Sequence, residues 1–162
     1  MDENKLIQKI LEVTKDLLEE LDFDAEISGH VVEGEKERKY IHVKIKGENL
    51  GLLIGHQGKT LRSFEQVTGM MISKFLKQEG VTQDIRIVVD VNEYKKQREE
   101  HIKEMVLKAI DQVRESKQKI ELPAMNPAER RIVHMVIKSE DGILSTSEGD
   151  EGDRRVILSL AE

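Results

Sequence analysis

Gly55-His56-Gln57-Gly58, followed at once by Lys59 and Thr60, is the stretch whose residue types and spacing point most directly to chemistry. Two glycines enclose two residues, between a short apolar segment and a helical pattern. Glycine removes the Cβ, so the backbone can take unusual dihedrals and a ligand can approach closely. The helix that follows starts with free N–H groups, which favour a phosphate or a polar edge. Lys59 stands at that helix start, where a positive side chain gains nothing from the macrodipole; contact with phosphate gives it a reason to be there. Arg62 lies one turn on. The second constellation is Arg130 and His134, four apart on a helix and therefore on one face. An arginine and a histidine so placed on an exposed face can hold a phosphate or a nucleotide edge. Arg154 and Arg155 open the last strand pattern and point to opposite faces. One of them joins the Arg130–His134 face if that strand lies beside the helix, and the sequence does not say which.

Other chemistries find less support. Gly58-Lys59-Thr60 resembles the end of a nucleotide-binding phosphate loop, but the glycine that loop needs five residues earlier is replaced by Leu53. The chain has no cysteine, which removes disulfides, thiol nucleophiles and thiolate metal sites. Its five histidines show no metal-ligand spacing, and no Ser-His-Asp arrangement can be argued. The acidic 148–153 stretch lacks a calcium-loop pattern and reads as a solvated turn. No enzyme, cofactor or metal is expected. Net charge is −6, which alone speaks against an anionic ligand, but its distribution matters more. Residues 1–26 carry 9 acids and 3 bases, whereas residues 44–77 carry 6 bases and 2 acids. The positive excess surrounds the glycine turn. With no tryptophan and three phenylalanines, stacking of bases on aromatic platforms is not the main device. No signal peptide and no long apolar run is visible, so a cytoplasmic protein without membrane insertion is expected.

The elements that must position these residues follow from periodicity. Leu6, Ile7, Ile10, Leu11, Thr14, Leu17, Leu18 and Leu21 predict an amphipathic helix over 4–20. Strands are expected at 24–33 and 40–46, joined as a hairpin through a polar turn at 34–39. In the second, Ile41, Val43 and Ile45 alternate with Tyr40, His42, Lys44 and Lys46. Asn49 is placed to cap a short helix through Ile54. A helix over 60–77 should bury Leu61, Phe64, Val67, Thr68, Met71, Ile72 and Phe75, and residues 84–91 read as a third strand. Asn92 is placed to cap a long connecting helix over about 93–117 with Ile102, Val106, Ala109, Ile110 and Val113 as its stripe. Asn126, Pro127 and Glu129 form a strong helix start. Strands at 143–147 and 154–160 complete an α+β chain of two units, 1–91 and 92–162.

The run Gly51-Leu52-Leu53-Ile54-Gly55-His56-Gln57-Gly58-Lys59-Thr60-Leu61 resembles the core of a bacterial-type KH domain. The order helix-strand-strand-helix-turn-helix-strand matches the type II arrangement, a three-stranded sheet with its helices on one face. The second unit resembles the domain named for an arginine and a histidine separated by three residues (R-3-H), here Arg130 and His134. The run Met125 to His134, Ser147-Glu148-Gly149 and Arg154-Arg155-Val156 carry that likeness. KH followed by this domain is the order in the Jag family, also called the SpoIIIJ-associated or KhpB family. The resemblance implies cytoplasmic binding of single-stranded RNA (DNA strands being the other substrate of such domains) and a post-transcriptional or RNA-chaperone role. That role would be linked to cell division, the cell envelope or sporulation, with a small KH-only protein as partner. The implied contacts are Gly55, His56, Gln57, Gly58, Lys59 and Arg62 in the first unit and Arg130, His134, Arg154 and Arg155 in the second. Leu53, Ile54 and strand 40–46 would form the apolar floor. The chain begins at the first KH helix, so interactions of the additional N-terminal Jag domain are not expected of it. A protein-interaction adaptor without RNA contact is the alternative reading.

Overall fold

The computed structural model describes residues 2–34, 38–81 and 84–161. It divides into two compact units, residues 1–95 and 96–162. The first contains α1 (Glu3–Glu20), β1 (Glu26–Glu33), β2 (Lys39–Lys46), the single turn α2 (Gly51–Ile54), α3 (Lys59–Gln78) and β3 (Ile85–Val91). A 3-10 turn over His56–Gly58 links α2 to α3. The sheet order is β1-β2-β3, with β1 antiparallel and β3 parallel to β2. Of the turn expected over 34–39, residues 35–37 lie outside the described residues.

Alternation in β2 sets the layers. Ile41, Val43 and Ile45 are buried against the helical side together with Val89 and Val91 of β3. Each fully buried Ile or Leu contributes roughly 1.5–3 kcal/mol. His42 lies on the opposite face, paired with His30 of β1; their rings stack at 5.4 Å. The helices bury narrower stripes than periodicity suggests. In α1 the buried residues are Leu6, Ile10, Thr14 and Leu18, while Leu21 is exposed past the helix end. In α3 they are Leu61, Phe64, Thr68, Ile72 and Leu76. Val67 and Met71, expected in the core, are exposed, and Leu76 takes a core position instead.

The expected Asn49 cap does not form. Asn49 adopts a left-handed φ of 56°, and α2 starts after Leu50 with no side-chain cap. Asn92 is left-handed as well, and its side chain ties the neighbouring loop by bonding both Gly47 N–H and Gly47 C=O. The carboxylate of Asp90 accepts from Lys95 N–H at 3.1 Å. Asparagine suits a cap and a left-handed turn for the same reason, its short side chain bonding nearby backbone. Spacing alone does not separate the two uses.

α4 (Tyr94–Ser116) leads into the second unit, which continues with β4 (Ile120–Glu121), α5 (Pro127–Lys138), β5 (Ile143–Glu148) and β6 (Arg155–Leu160). Its sheet is β4-β6-β5, antiparallel throughout. The two-residue β4 has no periodicity of its own and is not foreseen in the sequence. All five residues of the expected α4 stripe are buried, in a core shared with Leu122, Met125, Val133, Ile137, Ile143, Val156 and Leu158. This core is separate from that of the first unit.

Candidate nucleic-acid interface

The glycine turn is built from two left-handed glycines. Gly55 ends α2 at φ 70°, ψ −179°, a region essentially closed to other residues. A Cβ there would collide with the Thr60 hydroxyl. Gly58 takes φ 71°, and a Cβ would stand 2.7 Å from a ring carbon of Tyr94. Gln57 is left-handed too, at φ 52°. Gly58 is itself buried. The missing side chains thus make room for the protein's own Thr60 and Tyr94, and the open part of the turn is His56, which is exposed.

α3 begins directly behind this turn with no side-chain cap and no acidic residue in its first turn. Lys59 and Arg62 are exposed and, among the described residues, form no ion pair. Lys59 N–H donates to His56 O, but no side chain caps the turn behind it, and two exposed cations stand at the same end of α3, an arrangement that suits an anion. Of the apolar floor the sequence suggests, Ile54 is half-buried but the rest differs. Leu53 is 1 % exposed, and Ile41, Val43 and Ile45 are in the core. Leu52 instead is 81 % exposed next to the turn. A hollow of about 780 Å³ also runs between α3 and the outer edge of β3, lined by Gly69, Met70, Ile85 and Ile87 among others.

In the second unit, Asn126 and Glu129 form the expected capping box: Asn126 Oδ1 accepts from Glu129 N–H, and Glu129 Oε2 from Asn126 N–H, both at 3.0 Å. Glu129 is 6 % exposed, and its other oxygen accepts from Arg98 Nε of α4 at 2.8 Å. The buried carboxylate thereby fixes the start of α5 against α4. Arg130 and His134 follow on α5, half-buried where an open face was expected. Arg130 Nη1 donates to Met125 O at 2.7 Å, and His134 Nδ1 lies 2.8 Å from Ser145 Oγ on β5. That leaves the Nε2 atom of His134 and the remaining guanidinium N–H groups of Arg130 for a ligand.

The two final arginines have different surroundings. Met125 N–H donates to Arg154 O at 3.1 Å while Met125 O accepts from Arg130. Arg154 then donates to Ser147 Oγ at 2.9 Å, Ser147 O at 3.0 Å and Gly149 O at 3.2 Å. Ser147 and Ser145 alternate on one side of β5, so Arg154 falls in line with His134. Its partners are all uncharged. Arg155 points the other way and is neutralised by Asp153 at 2.9 Å and Glu121 at 3.4 Å. Ser145 is the residue that sequence reasoning missed. Its signal was the alternation Ser145-Thr146-Ser147 in a strand facing a helix. No group of three histidine or acidic residues among the described residues could hold a metal ion. No described helix is long and apolar enough to cross a membrane.

Comparison with known proteins bears on both halves. Residues 7–85 match the model of the KhpA/KhpB KH domain, and residues 100–160 match that of the R-3-H domain. Three curated relatives, each named RNA-binding protein KhpB, align along most of the chain. The protein of Clostridium symbiosum is 30% identical over 155 residues, 96% of this chain and 66% of the relative. That of Bacillus subtilis (strain 168) is 28% identical over 127 residues, 77% of this chain and 59% of the relative. That of Streptococcus pneumoniae serotype 2 is 24% identical over 157 residues, 97% of this chain and 45% of the relative. The chain therefore spans between about half and two thirds of these relatives. With both domain models matched in this order and relatives aligned across them, the chain belongs to the Jag (KhpB) family of KH plus R-3-H domain proteins.

Proposed function

We propose that this chain binds single-stranded RNA through two sites, one in each unit. The observation that carries the reading is the start of α3: no side-chain cap, no acidic residue in its first turn, and Lys59 and Arg62 beside it without ion pairs among the described residues. His56 and Gln57 form the turn over which the sugar-phosphate chain lies, with Gly55 and Gly58 holding its shape. Such folds clamp about four nucleotides. Leu52 and the hollow beside β3 offer apolar surface for the bases. The second site consists of Arg130, His134 and Arg154, with Arg155 outside it because its charge is already met. The names of the relatives support RNA as the strand. Two modest sites in one chain raise affinity through effective concentration.

The cytoplasmic post-transcriptional role, its link to division, envelope or sporulation, and a small KH-only partner belong to this proposal as the family's implications. The test is direct. Replacing His56 and Gln57 together by Asp places two carboxylates where phosphate should lie. Binding of a short labelled RNA should fall by about 100-fold, some 2.8 kcal/mol at 1.4 kcal/mol per tenfold, while the circular dichroism spectrum and melting temperature stay close to wild type. Unchanged affinity sinks the assignment of this turn.

A further inference from the structure

Glu65 stands on α3 and reaches the outer edge of β3. Lys39 N–H donates to Asp84 O and Asn92 N–H to Ile45 O, so even-numbered residues of this stretch pair with β2. The odd-numbered N–H groups, of Ile85, Ile87 and Val89, therefore point outward along the edge. Val89 N–H donates to Glu65 Oε2 at 2.7 Å, and Lys95 Nζ donates to the same oxygen at 2.8 Å. Glu65 Oε1 accepts no hydrogen bond among the described residues. The carboxylate forms part of the wall of the α3–β3 hollow, beside Gln66, Gly69 and Met70. A Cβ at Gly69 would meet nothing within 4 Å, so the hollow is open at that point.

We propose that Glu65 is a specificity-determining residue of this groove, accepting a hydrogen bond through Oε1 from the exocyclic amino group of a cytosine or adenine. The inference rests on the RNA reading above and deepens it. An ionised carboxylate is an acceptor only. Two anchors on Oε2 hold it in place, so little side-chain freedom is lost when a base docks. Cytosine N4 and adenine N6 each offer the donor that a single free oxygen needs, and carboxylates are known partners of the cytosine amino group. Uracil has no amino group, and its carbonyl oxygens oppose the carboxylate. Guanine presents N1–H and N2–H₂ side by side and asks for two free oxygens, but Oε2 already serves two donors. Glu65 lies seven residues beyond Gly58, roughly 10 Å along the helix at 1.5 Å per residue. A strand of about four nucleotides that starts at the glycine turn spans that distance. The Lys95 ammonium at Oε2 offsets the repulsion between the carboxylate and the phosphate chain.

The test measures fluorescence anisotropy of labelled octamers of C, A and U with the full chain, wild type and Glu65→Gln. The wild type should bind C or A about tenfold more tightly than U, the discrimination of one good base contact. Glu65→Gln keeps an acceptor for Val89 N–H but offers a mixed amide to the base. It should reduce the ratio below about twofold, with U affinity nearly unchanged. Lys95→Met should weaken all three octamers alike and keep the ratio. Melting curves verify that each variant is folded. A ratio that survives in Glu65→Gln overturns the assignment while RNA binding stands. Equal tightening of all three octamers in that variant also overturns it, and makes Glu65 a block rather than a reader. Failure of the wild type to bind any octamer overturns the RNA reading itself and this inference with it.

Discussion

Lys59 and Arg62 stand at the start of α3 without an ion pair among the described residues, whereas Arg130, His134 and Arg154 are each held by hydrogen bonds within their own unit. In the first unit the backbone is the rigid part: three positive-φ conformations at Gly55, Gln57 and Gly58 bracket the exposed His56. In the second the side chains are the rigid part, tied to Met125 O, Ser145 and Ser147. Free lysine and arginine heads give a charge-driven, adaptable grip that salt weakens. Side chains already immobilised lose less entropy on binding and demand a better-shaped ligand. The two units thus present their cations in two different ways.

The contrast can be broken most severely at Glu129. Glu129→Ala removes half of the capping box and leaves Arg98 without its buried partner. The second unit should lose about 3 kcal/mol of stability. Hydrogen exchange should report lost protection in 96–162 with protection in 1–95 retained. Equal loss in both units contradicts the separation of the two cores. Next in size is the difference between the neighbouring arginines. Arg154→Ala should weaken short-RNA binding about tenfold, and Arg155→Ala less than about twofold, because only the first guanidinium keeps an unneutralised charge. The reverse order in a titration places the second site on the wrong face of β6. Lys59→Gln should act more mildly. It should lower affinity for every RNA sequence alike and reduce the slope of log affinity against log salt by about 1. A sequence-dependent loss there marks Lys59 as a base contact.

The smallest effect concerns pH. Burial pushes the His42 imidazole below its ordinary value of 6.5, and the neighbouring His30 adds to the shift. The unfolded chain then takes up the proton more readily than the folded one. The His42 contribution is complete above that ordinary value and is lost as pH falls from it through the lowered folded value. Melting of the first unit should decline as pH falls below about 6.5, and His42→Gln should flatten the decline. A wild-type slope that persists in the variant assigns the effect elsewhere.

Periodicity was enough for most of the frame. The α4 stripe, the β2 alternation and the Asn126–Glu129 helix start are local patterns, and the structure shows them where spacing puts them. The glycine turn is equally local. What sequence reading did not reach depends on contacts between distant segments. Arg154 is told from Arg155 by its partners, Ser147 and Gly149 for the first, Asp153 and Glu121 for the second. Glu65 acquires a role only because α3 lies beside the β3 edge. Leu53 and Leu52 differ by a rotation of one residue on a single helical turn, too little length for a period to decide which is buried. The misplaced cap at Asn49 shows that a residue type suited to two local structures does not choose between them.

The ring of Tyr94 against Gly58 gives the molecule an optical property. The chain has no tryptophan and two tyrosines, Tyr40 and Tyr94. Its intrinsic emission therefore comes from tyrosine alone, and one of the two emitters is seated on the turn proposed to hold the strand. Tyr40→Phe leaves Tyr94 as a native, label-free probe of that turn, readable by lifetime or anisotropy while salt and temperature are varied.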